Sequence, residues 1–204
     1  MKTIIHPTYF PSISHYVAIA KSTNLVLEFD DNFQKQTNRN RMYIYSPNGL
    51  QLLNVPVKQA IVLHQKTRDI LIENDFDWQK QHFKSLESAY RSSPFFEYFE
   101  DMLVPVFQKK HIFLMDLNLA SMEFIAQALR FPFVFEKSEE YFKNLENHID
   151  YRQLADGKKD KNTFEQYPQV FEQKAGFLNN LSVLDLIFNE GKFALDYLKS
   201  QKLS

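Results

Sequence analysis

The chain has 204 residues, no cysteine, and 24 Lys plus Arg against 25 Asp plus Glu, a formal net charge of -1. That length supports one substantial core, and the missing cysteine excludes disulfides, Cys-zinc sites and thiol nucleophiles. A nearly neutral chain has no global field for nucleic acid or an anionic membrane, so any anion must be held by a local cluster.

Met1–Phe10 carries no long apolar run behind Lys2, and Pro7 interrupts it, which argues against a signal peptide. No stretch reaches a membrane-spanning length, and the expectation is a cytoplasmic protein. Thr3–His6 predicts a short buried strand closed by Pro7, then a turn at Pro11 and Ser12 and a helix over Ser14–Ser22. Leu25–Phe29, "LVLEF", predicts a second strand, which makes a βαβ unit of a parallel sheet. Met42–Tyr45 and Leu50–Val57 flank "SPNG" and predict a β-hairpin. A short strand is expected over Arg68–Glu73. Trp78, His82, Leu86 and Tyr90 fall every four residues, along one face of a helix. A second helical stretch starts at Pro94. "HIFLMD", His111–Asp116, reads as a strand, Leu119–Leu129 as an amphipathic helix, and Phe133–Glu136 as a strand.

Glu139–Gln166 is polar and reads as a solvated loop with one helical piece at most. Ser182 and Asp185 then stand at S-x-x-D spacing before an apolar run, a helix start. Gly191 is a break before a closing helix over Phe193–Lys199, and Leu181, Leu184, Ile187 and Phe188 are expected to be buried. The fold class is therefore α/β: a mostly parallel, Rossmann-like sheet with an added β-hairpin and a helical C-terminal part. The expected organisation is a single domain over 1–204, with an α/β core at 1–136, the polar loop at 137–165 and the helical part at 166–204.

The four glycines are too far apart for either phosphate-cradling glycine motif, and G-x-S-x-G is absent. No two of the six histidines have metal-ligand spacing, so neither metal nor cofactor is indicated. His6 stands at the end of the first strand, where open parallel sheets bind ligands, and imidazole can take a proton near neutral pH. The competing role is a strand cap bonded to backbone. Asp30 and Asp31 end the second strand on the same side; turn capping is the bland role for at least one of them. "QKQTNRNR" holds Lys35, Arg39 and Arg41 with Asn38 and Asn40 interleaved. If extended, it puts the two arginines on one face and the two asparagines on the other. Guanidinium forks suit phosphate or carboxylate, and amides suit sugar hydroxyls. The arginines are expected to be surface cations whose joint removal leaves stability nearly intact. Trp78, His82 and Tyr90 more often form a packed stripe than a ligand cage.

The blocks "HPTYFPSISHY", "FDDNFQKQTNRNR", "LNVPV", the Trp78-to-Tyr90 pattern and "GFLNNLSVLDLIFNEG" resemble the WbqC-like family in order and spacing. Two departures stand out. The family often has Gln-Pro where this chain has His6-Pro7, and Trp and Gly where it has Ser12–Ser14. The resemblance implies a bacterial cytoplasmic protein of O-antigen or other surface-polysaccharide biosynthesis. It further implies a transferase, with glycine or aminoacyl transfer to a nucleotide-linked sugar as the proposed chemistry. The alternative is a non-catalytic nucleotide-sugar-binding or assembly protein of the same pathway. His6 is the expected catalytic residue by its place at the strand end and not by the resemblance. Tyr9, Asp31, Lys35, Asn38, Arg39, Asn40, Arg41, Trp78 and His82 contact a small anionic substrate. Nothing in the sequence indicates an oligomeric state.

Overall fold

The computed structural model describes residues 1–59, 63–141 and 148–203. Strand β1 (Lys2–Ile5), helix α1 (Ile13–Lys21) and strand β2 (Leu25–Leu27) form the expected parallel βαβ unit, with Ile4 opposite Val26. The hairpin follows as β3 (Arg41–Ser46) and β4 (Gly49–Asn54), antiparallel, with Ser46 opposite Gly49. Gly49 takes a φ of 94°, so Pro47-Asn48 make the turn and the glycine supplies the left-handed residue after it.

Three helices come next: α2 (Trp78–Tyr90), α3 (Phe96–Gln108) and α4 (Leu114–Ala128). The chain then returns to the sheet. β5 (Phe135–Lys137) pairs with β2, and β6 (His148–Asp150) pairs with the other side of β1, all parallel. The order is β5-β2-β1-β6. It runs outward from β1 through β2 to β5, then crosses back beyond β1, so the topological switch point lies between β1 and β6. Helices α5 (Glu172–Ala175), α6 (Val183–Glu190) and α7 (Ala194–Ser200) close the chain.

Ile5, Leu25 and Leu27 point into a core cluster shared with α1, α4 and α6. On the opposite face Ile4 and Val26 are also buried. Strands buried on both faces read as apolar runs, which is why "TII" and "LVL" were recognisable. Leu181, Leu184, Ile187 and Phe188 are buried as expected, and the Ser182 hydroxyl caps α6 by accepting from Leu184 N.

Three expected elements differ. Arg68–Glu73 is not a strand: Thr67–Asp69 form a 3-10 turn, and only isolated bridges, Leu71 to Phe113 and Ile72 to Val57, follow. "HIFLMD" is not a strand either, because α4 already begins at Leu114. The apolar run there belongs to a helix buried along most of its length, which a short run cannot distinguish from a strand. Finally, the polar segment contributes an edge strand, β6, and a 3-10 turn over Arg152–Ala155.

Candidate functional site

Each of the four parallel strands ends in a polar group at the same edge. β1 is followed by His6, β2 by Glu28 and Asp31, β5 by Ser138, and β6 ends in Asp150 before Arg152. These groups form a buried charge network. Glu28, fully buried, accepts from Ser138 Oγ at 2.6 Å and from Arg152 Nη1 at 3.1 Å. Arg152 also forks onto Asp150, at 3.0 Å from Nε and 2.8 Å from Nη2, while the Tyr141 ring lies 4.5 Å from its guanidinium carbon. The network ties β5, β2 and β6 together around β1.

The second half of the network surrounds His6. Arg39 Nε and Nη2 both donate to Asp31 Oδ2, at 2.9 and 2.7 Å, and Nη1 donates to Thr37 Oγ1 at 3.2 Å. His6 Nδ1 lies 3.4 Å from the same Asp31 oxygen, a close contact just short of a hydrogen bond. His15, in the first turn of α1, donates from Nε2 to the His6 carbonyl at 3.2 Å, which fixes its tautomer and the path of the β1–α1 loop. Burial, then the charges of Arg39, His15 and Arg152, drive the His6 pKa well below its ordinary value. Burial likewise lowers His15 to about 4. Asp31 is raised by burial, with the Arg39 guanidinium pulling the other way. His6 is thus a neutral imidazole beside a carboxylate that a guanidinium holds in place.

The loop carrying His6 is under backbone strain. Phe10, 1 % exposed, has a φ of 38°, unusual for a bulky side chain. Its N–H donates to Ser121 Oγ at 3.1 Å, and its carbonyl accepts from Ser182 Oγ at 2.9 Å. Asn118 on α4 donates to the carbonyls of both Pro7 and Arg39, at 3.2 and 2.8 Å, and so clamps the two site loops together. The Thr67 hydroxyl supports the Asp31 carboxylate, whereas Asn118 Oδ1 and Thr8 Oγ1 are buried polar atoms without a hydrogen bond in the described residues. Such atoms in a native fold call for a water or a ligand.

The residues expected at the site separate into groups. His6, Asp31 and Arg39 come together. Arg39 is 2 % exposed and is no surface cation: residues 35–40 make turns rather than an extended segment, Gln36 has a φ of 63°, and the arginine folds inward onto Asp31. Asp30 faces the other way, onto Lys66 at 2.8 Å and Arg68 at 3.1 Å. Asn40 is buried and donates to Val55 O and Asn54 Oδ1, anchoring the tract to the hairpin. Asn38 is buried beside Ala155, whose carbonyl accepts its N–H at 2.8 Å. Arg41 is half-buried at the start of β3, and Lys35 is exposed.

Tyr9, Trp78 and His82 form a separate buried cluster. Tyr9 Oη is 3.0 Å from His82 Nδ1, and the ring centroids of Trp78 and His82 are 5.2 Å apart. Burial lowers the His82 pKa to about 4, against a backbone hydrogen bond at Asn54. These are the contacts of a packed helix face. Glu28, Arg152, His15 and Asn118 were not anticipated. A lone glutamate in "LVLEF" was the visible hint for the first. Arg152 has a local partner in Asp150, but its tie to Glu28 spans 124 positions and left no signal. Among the described residues, no group of three or more His, Asp or Glu side chains could hold a metal ion, and no helix is long and apolar enough to cross a membrane.

A family model described as the WbqC-like protein family matches residues 6–159, which include both halves of this network. The chain is 28% identical over 234 aligned positions to the uncharacterized protein Rv1507c of Mycobacterium tuberculosis, covering 96% of each sequence. No solved structure matches.

Proposed function

Because the chain belongs to the WbqC-like protein family, we propose that the carboxyl edge of its sheet is the site of a group transfer onto a small anionic molecule. The substrate class is a nucleotide-linked sugar of bacterial surface-polysaccharide (O-antigen) biosynthesis, handled in the cytoplasm. The reaction is aminoacyl, in the simplest case glycyl, transfer. One observation carries this reading: His6, held neutral by burial and neighbouring cations, stands 3.4 Å from Asp31 at the edge where the strand order reverses.

The chemistry asked of these residues is modest. With Nδ1 turned to Asp31, Nε2 keeps its lone pair. As the acceptor's amine or hydroxyl attacks the activated acyl carbon, Nε2 takes its proton, the bond to the leaving group breaks, and the leaving group departs with the electron pair. Asp31 Oδ2 steadies the imidazolium that forms, and Arg39 keeps that carboxylate oriented. General-base assistance of this kind contributes about 10²–10⁴ in rate.

A second reading has its own support. Arg39 and Arg152 are both engaged with carboxylates, so the network can equally be a rigid frame for a binding protein without turnover. His6→Gln separates the two. Gln keeps donor and acceptor capacity but takes no proton at neutral pH. Catalysis predicts wild-type folding and ligand binding with turnover reduced about a hundredfold or more. Unchanged turnover would leave His6 a hydrogen-bonding residue only.

A further inference from the structure

A small cavity of ≈ 70 Å³ opens beside α1, lined among others by Ser12, Asn38, Arg41, Gly157, Asn180 and Ser182. Its walls come from segments far apart in sequence: the "TNRNR" tract on one side and the "DGKKDKN" loop on the other. We infer that this cavity is a phosphoryl subsite in which Arg41 and Asn38 grip one phosphate of the ligand, with the Gly157 loop as its lid-side wall. The inference rests on the anionic ligand proposed above and locates the anion on Arg41, not on Arg39.

Four observations support it. First, Asn38 lines the cavity, its backbone N–H and carbonyl are both bonded, and its side-chain amide makes no hydrogen bond among the described residues, so its donors are available. An amide that lines a cavity without a protein partner can donate to a ligand oxygen. Second, a Cβ on Gly157 would lie 3.3 Å from both Asn38 Nδ2 and Oδ1. The glycine therefore leaves the amide its room, and its φ is not the left-handed kind, so space is the reason for it. Third, among the described residues Arg41 uses only Nε, donated to Asn54 Oδ1 at 3.3 Å, and its remaining N–H groups are uncommitted. Fourth, Gly157 is followed by exposed lysines at 158, 159 and 161, of which Lys159 pairs with Asp156 at 3.3 Å.

Asp160, bonded to the cavity-lining Asn180, keeps its negative charge, which Arg41 has to outweigh. Asp160 accepts from Ser14 Oγ, from Asn180 Nδ2 at 2.7 Å, and from Asn162 N and Nδ2 at 3.1 and 2.7 Å. The free N–H of Ser14 in the first turn of α1 is likewise taken, by Asn180 Oδ1 at 2.9 Å. The helix start is closed, so the grip belongs to the side chains. The size fits one group and not a whole nucleotide, since a water's share of liquid volume is about 30 Å³. The cavity and His6 flank the same turn: Ser12 faces the cavity, while His15 bonds the His6 carbonyl. The Ser12–His15 segment thus borders both the cavity and the His6 backbone.

The test is calorimetric titration of the full-length protein with inorganic phosphate, glucose 1-phosphate and UDP, separately. Wild type should bind at least one saturably. Tightest binding of UDP assigns a nucleotide diphosphate, of glucose 1-phosphate a sugar phosphate, and equal binding of all three free phosphate. Arg41→Ala and Gly157→Ala should each weaken binding tenfold or more, while His6→Gln and the exposed-surface control Lys84→Ala should bind as wild type. If Gly157→Ala does not fold, Arg41→Ala decides. No saturable binding of any probe, or undiminished binding by folded Arg41→Ala, overturns the subsite. Turnover lost in His6→Gln with binding intact supports the catalytic role separately. A catalytic His6 with no phosphate binding would sink the subsite alone.

Discussion

Two arginines that look alike in sequence have opposite circumstances. Arg39 is 2 % exposed with its guanidinium on Asp31, whereas Arg41 is half-buried and only lightly bonded. Breaking a buried ion pair by removing one partner leaves an uncompensated charge and costs about 3–5 kcal/mol. Arg39→Ala should therefore lower the melting temperature by roughly 10 °C for a chain of this size. Arg41→Ala should stay within about 0.5 kcal/mol. Thermal unfolding of the two variants side by side checks this, and equal melting temperatures would mean the Asp31 pair contributes little. The tract "QKQTNRNR" showed two like arginines but not their opposite circumstances. Alternation predicts shared faces only for an extended segment, and turns at 35–40 remove that premise. The carboxylate that claims Arg39 lies eight positions back, across those turns.

At the scale of elements, α6 joins the C-terminal segment to the core through an acid. Asp185 in its first turn is fully buried, and its Oδ2 accepts from Tyr167 Oη at 2.6 Å and Gln169 Nε2 at 2.9 Å. Burial raises its pKa to about 6, against the pull of those hydrogen bonds. The folded value is above the unfolded one, so its protonated form favours the fold. That contribution is full below about pH 4, the reference carboxyl range, and is lost as pH rises through about 6. Asp185→Asn lacks this titration. The stability of the variant relative to wild type should grow between pH 4 and pH 6.5, read as the difference of their melting temperatures; a difference independent of pH would show that Asp185 is ionised throughout. The helix itself was legible, because Ser182 and Asp185 stand at capping spacing before an apolar run. β6 was not: its three residues His148–Asp150 form a partly exposed edge strand inside a polar segment, with no apolar run to betray it. Helix α4 was half legible, since its first turn is as apolar as a strand.

Across the whole molecule, the sheet order concentrates polar chemistry at one edge. His6, Glu28, Asp31, Ser138 and Arg152 reach it from four different strand ends, and Asn118 ties the loops above them. The βαβ start of the chain was enough to place His6 there, because apolar strands and a Pro stop are local signals. The charge network around it was invisible, because its ties between strand ends are long-range and its nearer pairs, Arg39 to Asp31 and Arg152 to Asp150, obey no spacing rule. To act as a base, His6 must be a neutral imidazole in that setting. A pH titration of the six histidine side chains by NMR, in wild type and His6→Gln to assign the resonance, measures this directly. The account predicts that His6 titrates well below the reference value of about 6.5. A His6 resonance titrating at or above that value would mean Asp31 outweighs burial and the neighbouring cations, and His6 would then be a charged partner of Asp31 and not a base.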